Sequence, residues 1–253
     1  MQTDKRIAAG LIMLATICLG SARPIQAADP GAQAAAQPPA KLNFAALQRA
    51  TGAPPAPNSP QDHDDVVIVR WLQAHRSPEQ IANSWQVLTR ELLSFDSALG
   101  TSLTESSPVL SKGLLDFVEP INQARAAIKE IYKRPRPYVA HADIKPCVPK
   151  EPGYSFPSGH ATFYSATSTL LADLLPERQE RIKDVGKSVG ANRVICAMHY
   201  PSDIEAGVRL GKAGAEQILQ SSAWKQFKQQ PAVQAEIRAI QAIPAESLPL
   251  IVR

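Results

Sequence analysis

Histidine and cysteine are scarce in this chain of 253 residues, which has five of the first and three of the second. It contains no HExxH and no repeated Cys/His pairs at zinc-finger spacing, so a metal site is not expected and nothing calls for a cofactor. Neither charge sign is in large excess, the formal net charge being +4, and a near-balanced surface gives no reason to invoke nucleic acid. No period-two strand of useful length, no internal repeat and no apolar run of twenty residues is found, which argues against a sheet, a repeat array and a set of membrane spans.

The one long apolar stretch, Ile7 to Gly20, follows Lys5 and Arg6 and precedes "SARPIQA". That is the pattern of a secretory signal, with cleavage after Ala27; a retained anchor is the alternative. Removing Asp4, Lys5, Arg6 and Arg23 with it takes the net charge from +4 to +2. The expected organisation is therefore a signal peptide at 1–27, an Ala/Pro-rich arm at 28–60 and one domain at 61–253. The arm offers little to bury apart from "LNFAAL". An exported location, periplasmic or secreted, leaves Cys147 and Cys196. An even pair in that compartment favours a disulfide, with two buried thiols as the other reading.

Helix signals then follow one another. "SPEQ" supplies an N-cap at Ser77, a proline at the first helical position and a glutamine where a capping box needs it. Ile81, Trp85, Leu88 and Leu92 continue at helical spacing as far as Gly100. A second stretch from Val109 to Lys133 is expected to break near Pro120 and to end at "KRPRP". Further helices are expected at about 159–175, 177–196, 202–222 and 232–242. The sum is an all-α, single-domain helical bundle with its chemistry at helix ends and connecting loops.

Three clusters carry that chemistry. Lys129 and Arg136 straddle the break at "KRPRP", where a planar guanidinium and a movable ammonium suit a phosphate, although a solvated basic helix end has the same composition. "PSGH", residues 157–160, stands before a helix whose amino end offers unpaired N–H groups to an oxyanion. There Gly159 permits close approach, Ser158 donates or caps, and His160 projects from the first turn. In "NRVICAMHYPSD", Pro201 starts a helix, with His199 just outside it and Asp203 inside and able to reach back. A carboxylate on one imidazole nitrogen leaves the other as a nucleophile, with Arg193 as a further anion clamp; a packed core histidine is the plainer alternative.

Lys129-x6-Arg136-Pro137, Pro157-Ser158-Gly159-His160 and Arg193-x5-His199-x3-Asp203, in this order, resemble the three-part signature of the type 2 phosphatidic acid phosphatase superfamily, which vanadium haloperoxidases share. Within it, "NRVIC", Cys147 before "PSGH" and "PPAPNSP" are similar to class A bacterial non-specific acid phosphatases. The motif match covers about residues 129–210. The resemblance implies an all-α fold and metal-independent hydrolysis of small phosphomonoesters at acidic pH, without a cofactor. It implies His199 as nucleophile oriented by Asp203, and His160 as general acid. Lys129, Arg136, Arg193, Ser158 and the Gly159 backbone would hold the phosphoryl oxygens. Asn192 stands where the family usually has serine, which implies altered support of Arg193. A lipid or isoprenoid (di)phosphate phosphatase, a vanadate-dependent haloperoxidase and a non-catalytic phosphate-binding module are the rival readings. No stable membrane association is expected after signal cleavage, and a homo-oligomer is left open.

Overall fold

The computed structural model describes residues 41–249; the signal at 1–27 and the arm up to residue 40 lie outside them. All regular structure among the described residues is helical. The elements are α1 (Phe44–Thr51), α2 (Pro60–His75), α3 (Pro78–Gln86), the short α4 (Asp96–Leu99) and α5 (Leu103–Ser106), and α6 (Pro108–Tyr132). They continue with α7 (Pro137–Ala140), α8 (Gly159–Leu174), α9 (Gln179–Ile195), α10 (Pro201–Gln220), α11 (Ser222–Gln229) and α12 (Pro231–Gln241).

The "LNFAAL" segment does bury an apolar face. Asn43 caps α1, and Leu47 is fully buried where that helix lies against α10 and α6. The capping box at Ser77 forms as its residues require: the hydroxyl accepts from Gln80 N at 3.2 Å and Gln80 Oε1 accepts from Ser77 N at 2.8 Å.

Two expectations about helix length fail. The helix from Ser77 ends at Gln86 instead of running on to Gly100, and the chain re-enters helix only through a 3-10 turn at Leu92–Phe95 and then α4. The apolar residues there turn inward from two elements rather than one: Leu92, Phe95 and Leu99 are core, while Trp85 is half exposed. Gly100 nonetheless acts as the expected stop, at φ 80°. Conversely, Pro120 does not break α6. It removes one donor at an exposed carbonyl, that of Asp116, while buried Phe117, Val118, Ile121 and Ala124 hold the helix to the core on both sides of it.

The packing that matters for function is that of α10 on α8. A Cβ on Gly207 would lie 2.7 Å from Ser158 O, and one on Gly211 would lie 2.9 Å from Ala166 N. Only glycines four residues apart let the two backbones approach so closely. The consequence is local: the first turn of α10 sits over the amino end of α8, and Ser158 N donates to Asp203 O at 2.9 Å. A second tie comes from the Cys147–Cys196 disulfide, with Cα atoms 4.8 Å apart and a separation of 49 residues. It joins the segment before "PSGH" to the turn after α9, and a closed stretch of that size is worth roughly 4 kcal/mol on the chain-entropy account.

Candidate active site

Every residue singled out in the sequence arrives at one place. Lys129 is in the last turn of α6, and Lys133 ends that helix in the left-handed region at φ 48°, turning the chain toward Arg134 and Arg136. Ser158 caps α8, accepting from Ala161 N at 3.4 Å, and Gly159 and His160 open the helix. Arg193 lies in the last turn of α9. Ala197 then reverses the chain at φ 54°, so that Met198 N and His199 N both return to Arg193 O, at 2.9 and 3.3 Å. A non-glycine residue in that region is strained, and here the strain aims an imidazole.

His199 is buried, with polar groups on both ring nitrogens. Arg136 Nη1 is 3.3 Å from Nε2 and can only donate, so Nε2 carries the lone pair and Nδ1 the hydrogen. Nδ1 faces Ser155 Oγ at 3.3 Å, and the carboxylate oxygen Asp203 Oδ2 is slightly farther, at 3.5 Å. Ser155 in turn donates to that same oxygen at 2.5 Å, and Tyr200 N donates to it at 2.9 Å. The imidazole is thus oriented by Asp203 both directly and through a serine that no sequence motif marked. Burial, with the charges of Arg136, Lys129 and Arg193, holds its pKa well below the usual histidine value, so the ring is neutral.

Asp203 is anchored from behind by Arg134. Nη1 of that arginine donates to Asp203 Oδ1 at 2.9 Å and to Ser202 Oγ at 2.7 Å. Nη2 donates to Asp62 at 3.0 Å and to Asp65 at 2.9 Å, both from α2, and the guanidinium lies 4.0 Å over the Tyr200 ring. Removing one member of a buried ion-pair network strands the others, at a cost of about 3–5 kcal/mol. Arg134→Met should accordingly lose stability on that scale in denaturant unfolding, and kcat should fall with it because Asp203 is no longer held. A loss below about 1 kcal/mol, the level of an exposed pair, would contradict this account of the network.

Arg136 reaches Nε2 itself, and the charges of Lys129 and Arg193 act on the same ring. Arg136 donates to Met198 O at 3.1 Å and to Gly153 O at 3.2 Å, and Lys129 donates to Tyr154 O and to Ser155 O. Glu151 bridges the two guanidiniums, with Oε2 accepting from Arg136 at 3.0 Å and Oε1 from Arg193. Burial pushes this carboxyl up, but Arg193 and Arg136 outweigh it and leave its pKa below the ordinary value. Nε and Nη1 of Arg193 are buried with no hydrogen-bond partner. Asn192 gives its carbonyl to Ser84 at 3.3 Å, and its side chain forms no hydrogen bond to Arg193. Burial first, then the Arg136 and Arg125 charges, lower Lys129 to about 7.

His160 donates from Nε2 to Leu88 O at 3.0 Å, which leaves Nδ1 to gain and lose a proton. Burial and the Arg193 charge push it down to about 3, well below the ordinary histidine value.

Glu151, Ser155, Arg134 and Asp65 all shape the site and belong to no motif. Only Arg134 had a signal, its place inside "KRPRP". Among the described residues, no group of three or more His, Cys, Asp and Glu could hold a metal ion, and no helix is long and apolar enough to cross a membrane.

The sequence profile of the PAP2 superfamily matches residues 110–226, the stretch that carries all three motifs. The PAP2 segment and its flanks are similar to a non-specific acid phosphatase of Providencia stuartii, at 34% identity over 134 residues, which cover 51% of this chain and 54% of that protein. They are also similar to an acid phosphatase of Zymomonas mobilis, at 28% identity over 175 residues, 61% of this chain and 62% of that one. The chain thus spans about half the length of the first of these relatives. Among solved structures, a transmembrane PAP2-type phosphatidylglycerolphosphate phosphatase from Bacillus subtilis aligns with a TM-score of 0.46 at 20% identity, over 73% of this chain and 91% of that one.

Proposed function

We propose that this protein is an exported acid phosphatase that hydrolyses phosphomonoesters through a phosphohistidine on His199. The observation that carries the reading is a buried, neutral imidazole whose lone-pair nitrogen meets Arg136, with the charges of Lys129 and Arg193 acting on the same ring. Glu151, itself an oxyanion, accepts from both guanidiniums at once, and Nε and Nη1 of Arg193 remain as further donors, which supports an anion site. The PAP2 match and the names of the two relatives support the same chemistry. The disulfide and the signal-like start support export.

In the first step His199 Nε2 attacks phosphorus and the bond to the leaving oxygen breaks, with His160 supplying the proton that oxygen needs. Lys129, Arg136, Arg193 and the N–H groups at the start of α8 hold the three non-bridging oxygens as charge redistributes over them. Asp203 and Ser155 stabilise the charge that develops on the imidazole through Nδ1. A water activated by His160 then attacks phosphorus, the N–P bond breaks, and inorganic phosphate leaves.

The cage also sets the pH range. Lys129 binds phosphate only when charged, and its pKa of about 7 means that the charge is lost as pH rises through neutrality. Hydrolysis of p-nitrophenyl phosphate in EDTA should therefore persist, with kcat/KM falling as pH rises through about 7. Lys129→Arg should move that limb upward, because a guanidinium stays protonated there. Activity abolished by EDTA and restored by a divalent ion would overturn the mechanism. An unmoved limb would remove Lys129 from it.

A further inference from the structure

Two arginines that these steps leave unused stand at the same helix terminus. Arg90 lies in the loop after α3, and Arg125 lies one turn before Lys129 on α6. A Cβ placed on Gly159 would be 2.7 Å from Arg90 Nη1 and 3.5 Å from Arg125 Nη1, so both like-charged groups face one point. Neither guanidinium has an ion pair or a hydrogen bond to any described residue, and Arg125 Nε is buried without a partner. Glu119 and Glu151 act on Arg125 only from beyond ion-pair reach. Burial and the Arg90 charge hold Arg125 down to about 10.

Arg125 is half-buried and Arg90 is exposed; two cations that converge without a counter-charge repel each other unless an anion comes between them. The oxygens of the transferred phosphoryl group already have Lys129, Arg136, Arg193 and the α8 N–H groups, so these donors are surplus to it. Their neighbour is the leaving-group histidine: Arg90 is two residues past Leu88, whose carbonyl holds His160, and its charge is felt at that ring.

We propose that Arg90 and Arg125 form a second oxyanion subsite on the leaving-group side of the cage, selecting phosphate esters whose leaving group carries its own phosphate or carboxylate near the scissile oxygen. This rests on the phosphatase reading above. The test compares kcat/KM of the full chain for pyrophosphate and phosphoglycolate, each relative to phenyl phosphate, in Arg90→Gln, Arg125→Gln and the corresponding Lys variants. At least one ratio should fall about tenfold or more in each Gln variant, the scale of a lost charge-assisted hydrogen bond, and partly recover in the Lys variants. A fall for pyrophosphate alone assigns the subsite to a second phosphate, and a fall for phosphoglycolate alone assigns it to a carboxylate. Unchanged ratios, or equal losses on all three substrates, overturn the subsite and leave the phosphatase standing. Calorimetry needs no turnover: the wild-type chain should prefer methylenediphosphonate to methylphosphonate, and the Gln variants should lose that preference. Its absence overturns the subsite even if no ester is hydrolysed, an outcome that would separately sink the phosphatase.

Discussion

His199→Ala is expected to lose turnover on every phosphate ester, by at least about 10⁴-fold in kcat, because no other group can form the covalent intermediate. The structure supplies the reason for an effect of this size. Nε2 presents its lone pair to Arg136, and Ser155 and Asp203 hold the ring at the other nitrogen. The defect should not depend on leaving group or pH. Stability should change far less than activity, which separates this variant from Arg134→Met. Retained turnover within about tenfold of wild type, far short of a nucleophile's loss, would place the nucleophile elsewhere.

His160→Ala is expected to behave differently. Its proton is needed most by a poor leaving group, so an alkyl phosphate should lose about 10²–10⁴-fold in kcat, the usual worth of a general acid. An activated phenolate departs without help, and p-nitrophenyl phosphate should lose much less at the first step, with a burst of phenol before slow release of phosphate. A plot of the defect against leaving-group pKa is the measurement, and the slope should be steep for His160→Ala. A flat plot would remove His160 from proton transfer, leaving it as a packed histidine tied to Leu88 O.

The fold was legible where local chemistry sets it. The Ser77 capping box and the helices that begin near Gly159 and Pro201 follow from short-range rules, and they form. Pro120 was misread because a proline rule is local, while the core contacts on either side that carry α6 through it are not. The apolar spacing between Ile81 and Leu92 was misread for a related reason: periodicity does not say whether one helix or two short elements turn those residues inward.

The site divides in the same way. Lys129, Arg136, His160, Arg193, His199 and Asp203 were visible because their types suit an anion and their order and intervals resemble a family signature. Ser155, Glu151, Asp65 and Arg90 were not, since each acts on a residue far from it in sequence and has no spacing of its own. The depressed pKa of His160 was not legible either, because the burial and the Arg193 charge that lower it exist only once α8 and α9 are packed.

The central claim is that phosphate passes through His199. Rapid mixing with a labelled phosphate ester, an alkaline quench that preserves phosphoramidates, and peptide mapping by mass spectrometry test it most directly. The predicted result is one base-stable, acid-labile phosphate per chain on the peptide that contains His199, accumulating to a higher level in His160→Ala. Label on Ser158 or His160, or an intermediate that persists in His199→Ala, would contradict it.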